Sequence, residues 1–144
     1  MFLSGVVCRA AVLGIVLSFV SVNVARAQSP LPAPWVSQDI GNPLIAGSSS
    51  ISSTGVVTIN ASGADIWGTS DQFHFAHVQV TGDVDIRMRV DSVPSTSTWA
   101  KVGVMIRASL AANSAQAFSL VSYSKGLAFQ RRCLLYTSPS PRDS

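Results

Sequence analysis

Apolar and polar residues alternate along much of the chain, a pattern typical of β-strands with one buried and one solvated face. In Val84–Asp91, apolar and charged residues exchange at every position. The same period of two predicts four further strands, at Phe73–Val78, Lys101–Arg107, Gln116–Tyr123 and Leu127–Gln130, with a shorter one at Gly55–Asn60. No helical periodicity extends beyond about two turns. A strand spacing of about ten residues predicts an all-β, antiparallel β-sandwich.

The N-terminus has the features of a secretory signal. Arg9 precedes an uninterrupted run of apolar and small residues at Ala10–Val22, and Ala25-Arg26-Ala27 supplies the small residues that signal peptidase requires. The run is shorter than the roughly 20 residues that span a bilayer. We therefore expect residues 1–27 to be a Sec-type signal peptide, cleaved near Ala27 on export to the extracellular or periplasmic space. Residues 28–34 then form a Pro-rich leader.

The C-terminal residues resemble no element of a fold. Cys133–Asp143 matches the translation of a transposase sequencing adaptor, so we expect residues 132–144 to be an artefact tail. The native reading frame is then secure only to Arg131, and we expect the natural domain to continue beyond it. A β-sandwich that lacks its last strands would expose unpaired backbone edges and part of its apolar inner face.

Composition and charge exclude several classes of protein. Hydrophobic residues make up 47% of the chain and charged residues 12%, which excludes a disordered tail. The formal net charge is +3, but the six Asp and six basic residues between positions 28 and 131 cancel, so there is no basic patch for nucleic acid. The two cysteines, Cys8 and Cys133, lie in the signal and the tail. The mature domain therefore has no thiol for a disulfide or a metal site.

Three strings of residues carry a resemblance to a known family. They are PWVSQDIG at Pro34–Gly41, GADIWGTSDQFHF at Gly63–Phe75 and WAKVGVMIR at Trp99–Arg107. In this order they resemble bacterial secreted domains of the concanavalin A-like lectin/glucanase superfamily, of the "regulation of enolase protein" type. The resemblance covers about residues 34–131. It implies a jelly-roll β-sandwich, here incomplete at its C-terminus, in an extracellular module of a larger protein, and it fixes no ligand.

The residues give no support for catalysis or metal binding. Glycoside hydrolysis usually needs two carboxylic acids across the scissile bond, and the chain contains no Glu. Asp83 and Asp85 are expected to be solvated edge charges. His74 and His77 are three apart on a strand and point to opposite faces, so without a bulge they would not converge on one metal ion. His77 is expected to be partly buried and His74 exposed, or the reverse if the strand register slips by one residue. Without a Gly-x-Ser-x-Gly elbow, a Ser-His-Asp triad has no sequence support.

Binding is the better functional interpretation, because aromatic side chains stack on sugar rings while polar neighbours bond the hydroxyl groups. The candidates are the three tryptophans, with Asp65, Asp71 and Gln72 beside them. We predict a ligand site formed by Trp67, Asp71 and Trp99; the alternative for each Trp, including Trp35, is packing in the core or a turn. Arg107 is expected to pair with a carboxylate such as Asp71.

The sequence therefore predicts a secreted, non-catalytic carbohydrate-binding or adhesion module at residues 35–131. Its expected partner is a polysaccharide or a cell-surface glycan, with no cofactor, no nucleic acid and, after signal cleavage, no membrane. Two alternatives stay open. One is a secreted glycan-active enzyme whose catalytic residues follow Arg131, and the other is a structural spacer without a ligand. The sequence does not define an oligomeric state.

Overall fold

The computed structural model describes residues 2–4, for which only the backbone is considered, and residues 28–133. The predicted signal peptide and the adaptor-like tail lie almost wholly outside these residues. The described residues contain strands and turns but no helix, and so no helix that could cross a membrane. In chain order the strands are β1 (Phe2–Ser4), β2 (Gln28–Ser29), β3 (Val36–Ile40), β4 (Ser48–Ser52), β5 (Val57–Asn60), β6 (Ile66–Trp67), β7 (Ser70–Asp71), β8 (Phe73–Gln79), β9 (Lys101–Arg107), β10 (Gln116–Ser122) and β11 (Gly126–Arg132).

These strands form three sheets in which every pair of neighbours is antiparallel, which confirms the all-β prediction. The largest sheet has the order β11-β10-β9-β1-β8-β3. A second sheet has the order β2-β4-β5, and β6 and β7 form a two-stranded hairpin. Gln28–Ser29, at the start of the predicted Pro-rich leader, is part of the second sheet and pairs with β4.

The hydrophobic core lies on one face of the six-stranded sheet, which we call the core face. Residues two apart share a face, so Phe75 on β8, Met105 on β9 and Leu120 on β10 pack together, with Ile66 of the β6–β7 hairpin over them. Phe75, Met105 and Leu120 are each at most 1% exposed. Burial of each such side chain contributes about 1.5–3 kcal/mol.

The opposite face of the sheet, the second face, is only partly covered. The three-stranded sheet contacts it over β3 and β8, where Ile59 of β5 is fully buried. Val102 on β9 is also buried on this face, but towards β11 the apolar side chains are more open. Val104 is half-buried, while Leu127 and Phe129 are 83% and 66% exposed.

The strand predicted at Val84–Asp91 differs from what the structure shows. These residues belong to no sheet, although their burial still alternates, with Val84 and every second residue to Val90 half-buried and the residues between them exposed. The charged side chains pair locally: Arg87 Nη2 lies 2.6 Å from Asp85 Oδ2, and Arg89 Nε lies 2.7 Å from Asp91 Oδ1. Alternation gave this segment its two faces, but a strand also needs a neighbour to pair with.

Candidate functional site

Asp71, one of the three predicted ligand-binding residues, lies in the interior. It ends the β6–β7 hairpin and its side chain is fully buried. The Arg132 guanidinium holds both carboxylate oxygens, with Nη1 2.9 Å from Oδ2 and Nη2 on Oδ1. Arg107 Nη1 lies 3.4 Å from Oδ2, which confirms the predicted Arg107–Asp71 pair. A carboxylate held in this way cannot reach a ligand on the surface, so the binding prediction for Asp71 is corrected to a structural role.

The two arginines tie this hairpin to the loop at residues 108–115. Arg107, 1% exposed, donates from Nε to Ser109 O at 2.8 Å and from Nη2 to Ala111 O at 2.5 Å. Arg132 donates to Gly68 O at 2.7 Å and to Ala112 O at 3.2 Å. Burial lowers the pKa of Arg107, and the charge of Asp71 opposes that shift. The folded unit thus includes Arg132, one residue beyond the predicted end of the domain.

Trp67 and Trp99, the other two predicted residues, are both on the surface. Trp67 ends β6, next to the β6–β7 turn, and is 65% exposed; Trp99 lies just before β9 and is 50% exposed. Each indole has an ammonium group over its ring. Lys101 Nζ is 5.5 Å from the Trp67 ring centroid, and Lys125 Nζ is 5.9 Å from that of Trp99. Such contacts hold the position of an exposed ring.

Lys101 contacts Trp67 and lies two residues after Trp99 in the chain. It begins β9, and its Nζ donates to Asp65 Oδ1 at 2.6 Å and to Ile66 O at 3.0 Å, beside Trp67. The Lys101 side chain is only 7% exposed, while Asp65 is 49% exposed and retains contact with solvent. We call the surface formed by Trp67, Trp99, Asp65, Lys101 and Lys125 the tryptophan face.

Trp35 is separate from the tryptophan face. It precedes β3 and lines a cavity of about 480 Å³ on the second face, together with Ile51, Val57, Ala76 and Met88. Its exposure is 36%. Two of the three tryptophans are therefore exposed, one in contact with Lys101 and the other two residues before it in the chain, and the third lies against apolar side chains.

A chain of hydrogen bonds that the sequence did not predict joins Ser37, His74 and Asp39. Ser37 Oγ lies 2.7 Å from His74 Nε2, and His74 Nδ1 lies 2.6 Å from Asp39 Oδ1. A neutral His74 with its proton on Nδ1 donates to Asp39 and accepts from the Ser37 hydroxyl. This is the connectivity of a Ser-His-Asp triad. The available signal was the two-residue spacing of Ser37 and Asp39, which puts both on one face of β3.

The pairing of β3 with β8 explains how these residues meet. Asp39 lies opposite His74 and Ser37 opposite Ala76, so all three polar side chains project from the second face. Ser37 is exposed, whereas His74 is 4% exposed, and the expectation that His74 lies on the surface is wrong. The Gly47 backbone covers the imidazole: a Cβ at Gly47 would lie 2.3 Å from His74 Cγ. Gly47 N also donates to both Asp39 oxygens at 3.1 Å.

Over residues 28–133, no three His, Cys, Asp or Glu side chains come together as a metal site would require. No protein-family model, curated protein or solved structure matches this chain. The family resemblance therefore rests on the three strings of residues alone.

Proposed function

We propose that this chain is a secreted, non-catalytic carbohydrate-binding module whose ligand, a polysaccharide or cell-surface glycan, stacks on the tryptophan face. The observation that carries the proposal is the exposure of Trp67, whose ring Lys101 contacts, and of Trp99, two residues before Lys101 in the chain. Large aromatic side chains gain most by burial, so two exposed indoles at one site favour a binding surface.

The polar side chains of the face suit a sugar ligand. An indole ring offers a flat apolar surface to the C–H groups of a pyranose, while the half-exposed Asp65 carboxylate can accept hydrogen bonds from hydroxyl groups. Lys101 is already bonded to Asp65, Ile66 O and Gln130 Oε1, so its position over Trp67 is fixed before a ligand arrives. Such preorganisation lowers the entropy lost on binding.

The proposed fold is the concanavalin A-like jelly roll. The packing of the three-stranded sheet against β3 and β8 supports a sandwich. The open apolar side chains on the second face of β11, Leu127 and Phe129, support the expectation that further strands complete the domain.

The binding proposal is tested by gel electrophoresis of the full chain through gels that contain soluble β-glucan, xylan or galactomannan. We expect at least one polysaccharide to retard the chain. Trp67→Ala and Trp99→Ala should each weaken the affinity for that polysaccharide about tenfold or more, equivalent to about 1.4 kcal/mol. Phe129→Ala removes an equally exposed aromatic ring outside the face and should leave the retardation unchanged. Equal losses in all three variants would contradict the proposal, and no retardation by any polysaccharide would favour a spacer domain.

A second candidate function, hydrolysis with Ser37 as nucleophile, is favoured by one observation, the Ser37–His74–Asp39 hydrogen bonds. His74 Nε2 is placed to take the Ser37 proton as Oγ attacks an acyl carbon, and Asp39 would stabilise the resulting imidazolium. Against this function, the Gly47 N–H, a donor close to His74, is already used by Asp39 and does not point to a reacting oxygen.

A fluorophosphonate probe decides between hydrolysis and binding alone. In a reactive site, Ser37 Oγ would bond to phosphorus, fluoride would leave, and the serine proton would pass to His74 Nε2. If hydrolysis is the function, the full chain is labelled, Ser37→Ala is not, and Ser119→Ala, which changes another exposed strand serine, remains labelled. If the wild-type chain is not labelled, the hydrogen bonds serve only to join β3 to β8.

A further inference from the structure

The six-stranded sheet contains a position that β1 only partly fills. β1 is antiparallel to both β8 and β9, so these two strands run parallel to each other with one strand position between them. The β1 ladder reaches Val78 and Gln79 on β8, and residues 105–107 on β9. The greater part of each seven-residue strand, residues 73–77 and 101–104, lies beyond this ladder.

The residues that fill this position belong to the predicted signal peptide. Export would remove Phe2–Ser4 together with the rest of residues 1–27. The mature chain would then carry two facing strand edges in the middle of its largest sheet. Buried backbone N–H and C=O groups without partners are costly, so another strand must take the position if the sheet is to persist.

The segment at residues 84–90 has the properties that this position requires. It lies between β8 and β9 in the chain, so a simple up-and-down path would place it between them and antiparallel to both, as β1 is. It keeps the alternating burial of a strand, yet it belongs to no sheet. Its seven residues match the length of β8 and β9.

The side-chain pattern fits one register. Gly82 has a φ of 83°, which suits the third position of a type II turn at residues 80–83, between β8 and the segment. That turn sets Val84 opposite Gln79, and it then pairs three core-face residues of β8 with apolar partners: His77 with Ile86, Phe75 with Met88, and Phe73 with Val90. A slip by one residue would put the charged residues at positions 85, 87 and 89 into the core, so the register is strongly specified.

We propose that Phe2–Ser4 is a placeholder strand in the precursor, and that residues 84–90 replace it between β8 and β9 once the signal peptide is removed. This inference rests on the export part of the proposed function. The exchange replaces the three-residue ladder of β1 with a ladder of about seven residues formed by the segment. Removal of the signal peptide would therefore complete the sheet rather than open it.

Hydrogen exchange measured by mass spectrometry tests the strand replacement directly. The full chain carries an inserted site for a specific protease after Ala27, so the leader can be released whether or not signal peptidase acts. Before cleavage, amides 84–90 should exchange rapidly. After cleavage they should slow by about 100-fold or more, while β10 and β11 stay protected throughout.

Each other outcome overturns the proposal. Amides 84–90 that stay unprotected after cleavage exclude the replacement, and protection before cleavage excludes the placeholder role. General loss of protection across β8–β11 would mean that no strand replaces β1. Treatment of the unaltered precursor with signal peptidase is a separate measurement, and failure to cut near Ala27 would contradict export without bearing on the strand.

Cysteine cross-linking checks the register. In a chain with Cys8 and Cys133 changed to Ser, the pair Val78→Cys and Asp85→Cys should form a disulfide after cleavage, because the two residues would lie opposite each other. Val78→Cys with Ile86→Cys is the matched control and should form none, since these side chains would point to opposite faces. The reverse result would exclude the proposed register.

Discussion

Substitution of Asp71 by Ala is expected to lower the free energy of unfolding by about 3–5 kcal/mol, the cost typical of removing one partner from a buried ion pair. Asp71 is fully buried between Arg132 and Arg107, and Arg107 is 1% exposed. Without the carboxylate, two guanidinium groups would face each other, and backbone carbonyls and the Met105 sulfur would be left to accept their hydrogen bonds. Burial already lowers the pKa of Arg107, and the variant would remove the negative charge that counters this effect.

Urea denaturation of the full chain, followed by tryptophan fluorescence, measures this change. Asp85→Ala is the control, because it removes an equal charge from an exposed pair with Arg87 and should change stability little. Asp71→Asn, which keeps the shape of the side chain, should have a urea midpoint between those of Asp71→Ala and Asp85→Ala. A midpoint for Asp71→Ala equal to that of Asp85→Ala would show that the cluster contributes no stability.

Substitution of Gly103 by Ala is the second large effect, with an expected loss of about 3 kcal/mol. Gly103 lies within β9, opposite Leu120 of β10. A Cβ at this position would lie 2.1 Å from the backbone oxygen of Ser119 and 2.7 Å from Leu120 Cα. Backbone atoms of a paired strand cannot move aside as a side chain can, so β9 and β10 would have to separate at the centre of the core.

Thermal unfolding compares this variant with Gly55→Ala. Gly55 lies in the β4–β5 turn with φ 79°, and a Cβ there would meet no atom within 4 Å. Its substitution should cost only the roughly 1–2 kcal/mol of a left-handed backbone. Equal melting temperatures for the two variants would mean that β9 and β10 can separate at Gly103 without loss of stability, contrary to their close approach.

Local pattern was sufficient to predict strands whose partners are close in the chain. The pattern predicts β9 to the residue, at Lys101–Arg107; β10 follows after the loop at residues 108–115, and a short turn joins β10 to β11. Val84–Asp91 alternates most regularly of all, yet it belongs to no sheet, and the position between β8 and β9 is held by β1. Alternation gives a strand its two faces, but the pairing partner depends on topology.

The site residues likewise include some that the local sequence predicts and others whose environment depends on distant residues. The exposure of Trp67 follows from its place beside a tight turn, and Arg107 could be matched to Asp71 by charge alone. The burial of Asp71 depended on Arg132, a residue 61 positions away that the sequence assigned to the tail. The Ser37–His74 contact depends on the register of β3 against β8, which no spacing within one segment reveals.

We propose that a sugar binds Trp67 and Trp99 and not Trp35. Indole N–H resonances of the full chain, labelled with ¹⁵N at tryptophan and titrated with the polysaccharide that retards it, report on each of the three separately. We predict that the Trp67 and Trp99 signals shift along one saturating curve, while that of Trp35 moves little. Shifts confined to Trp35, or three signals unchanged at saturating polysaccharide, would contradict a binding site on the tryptophan face.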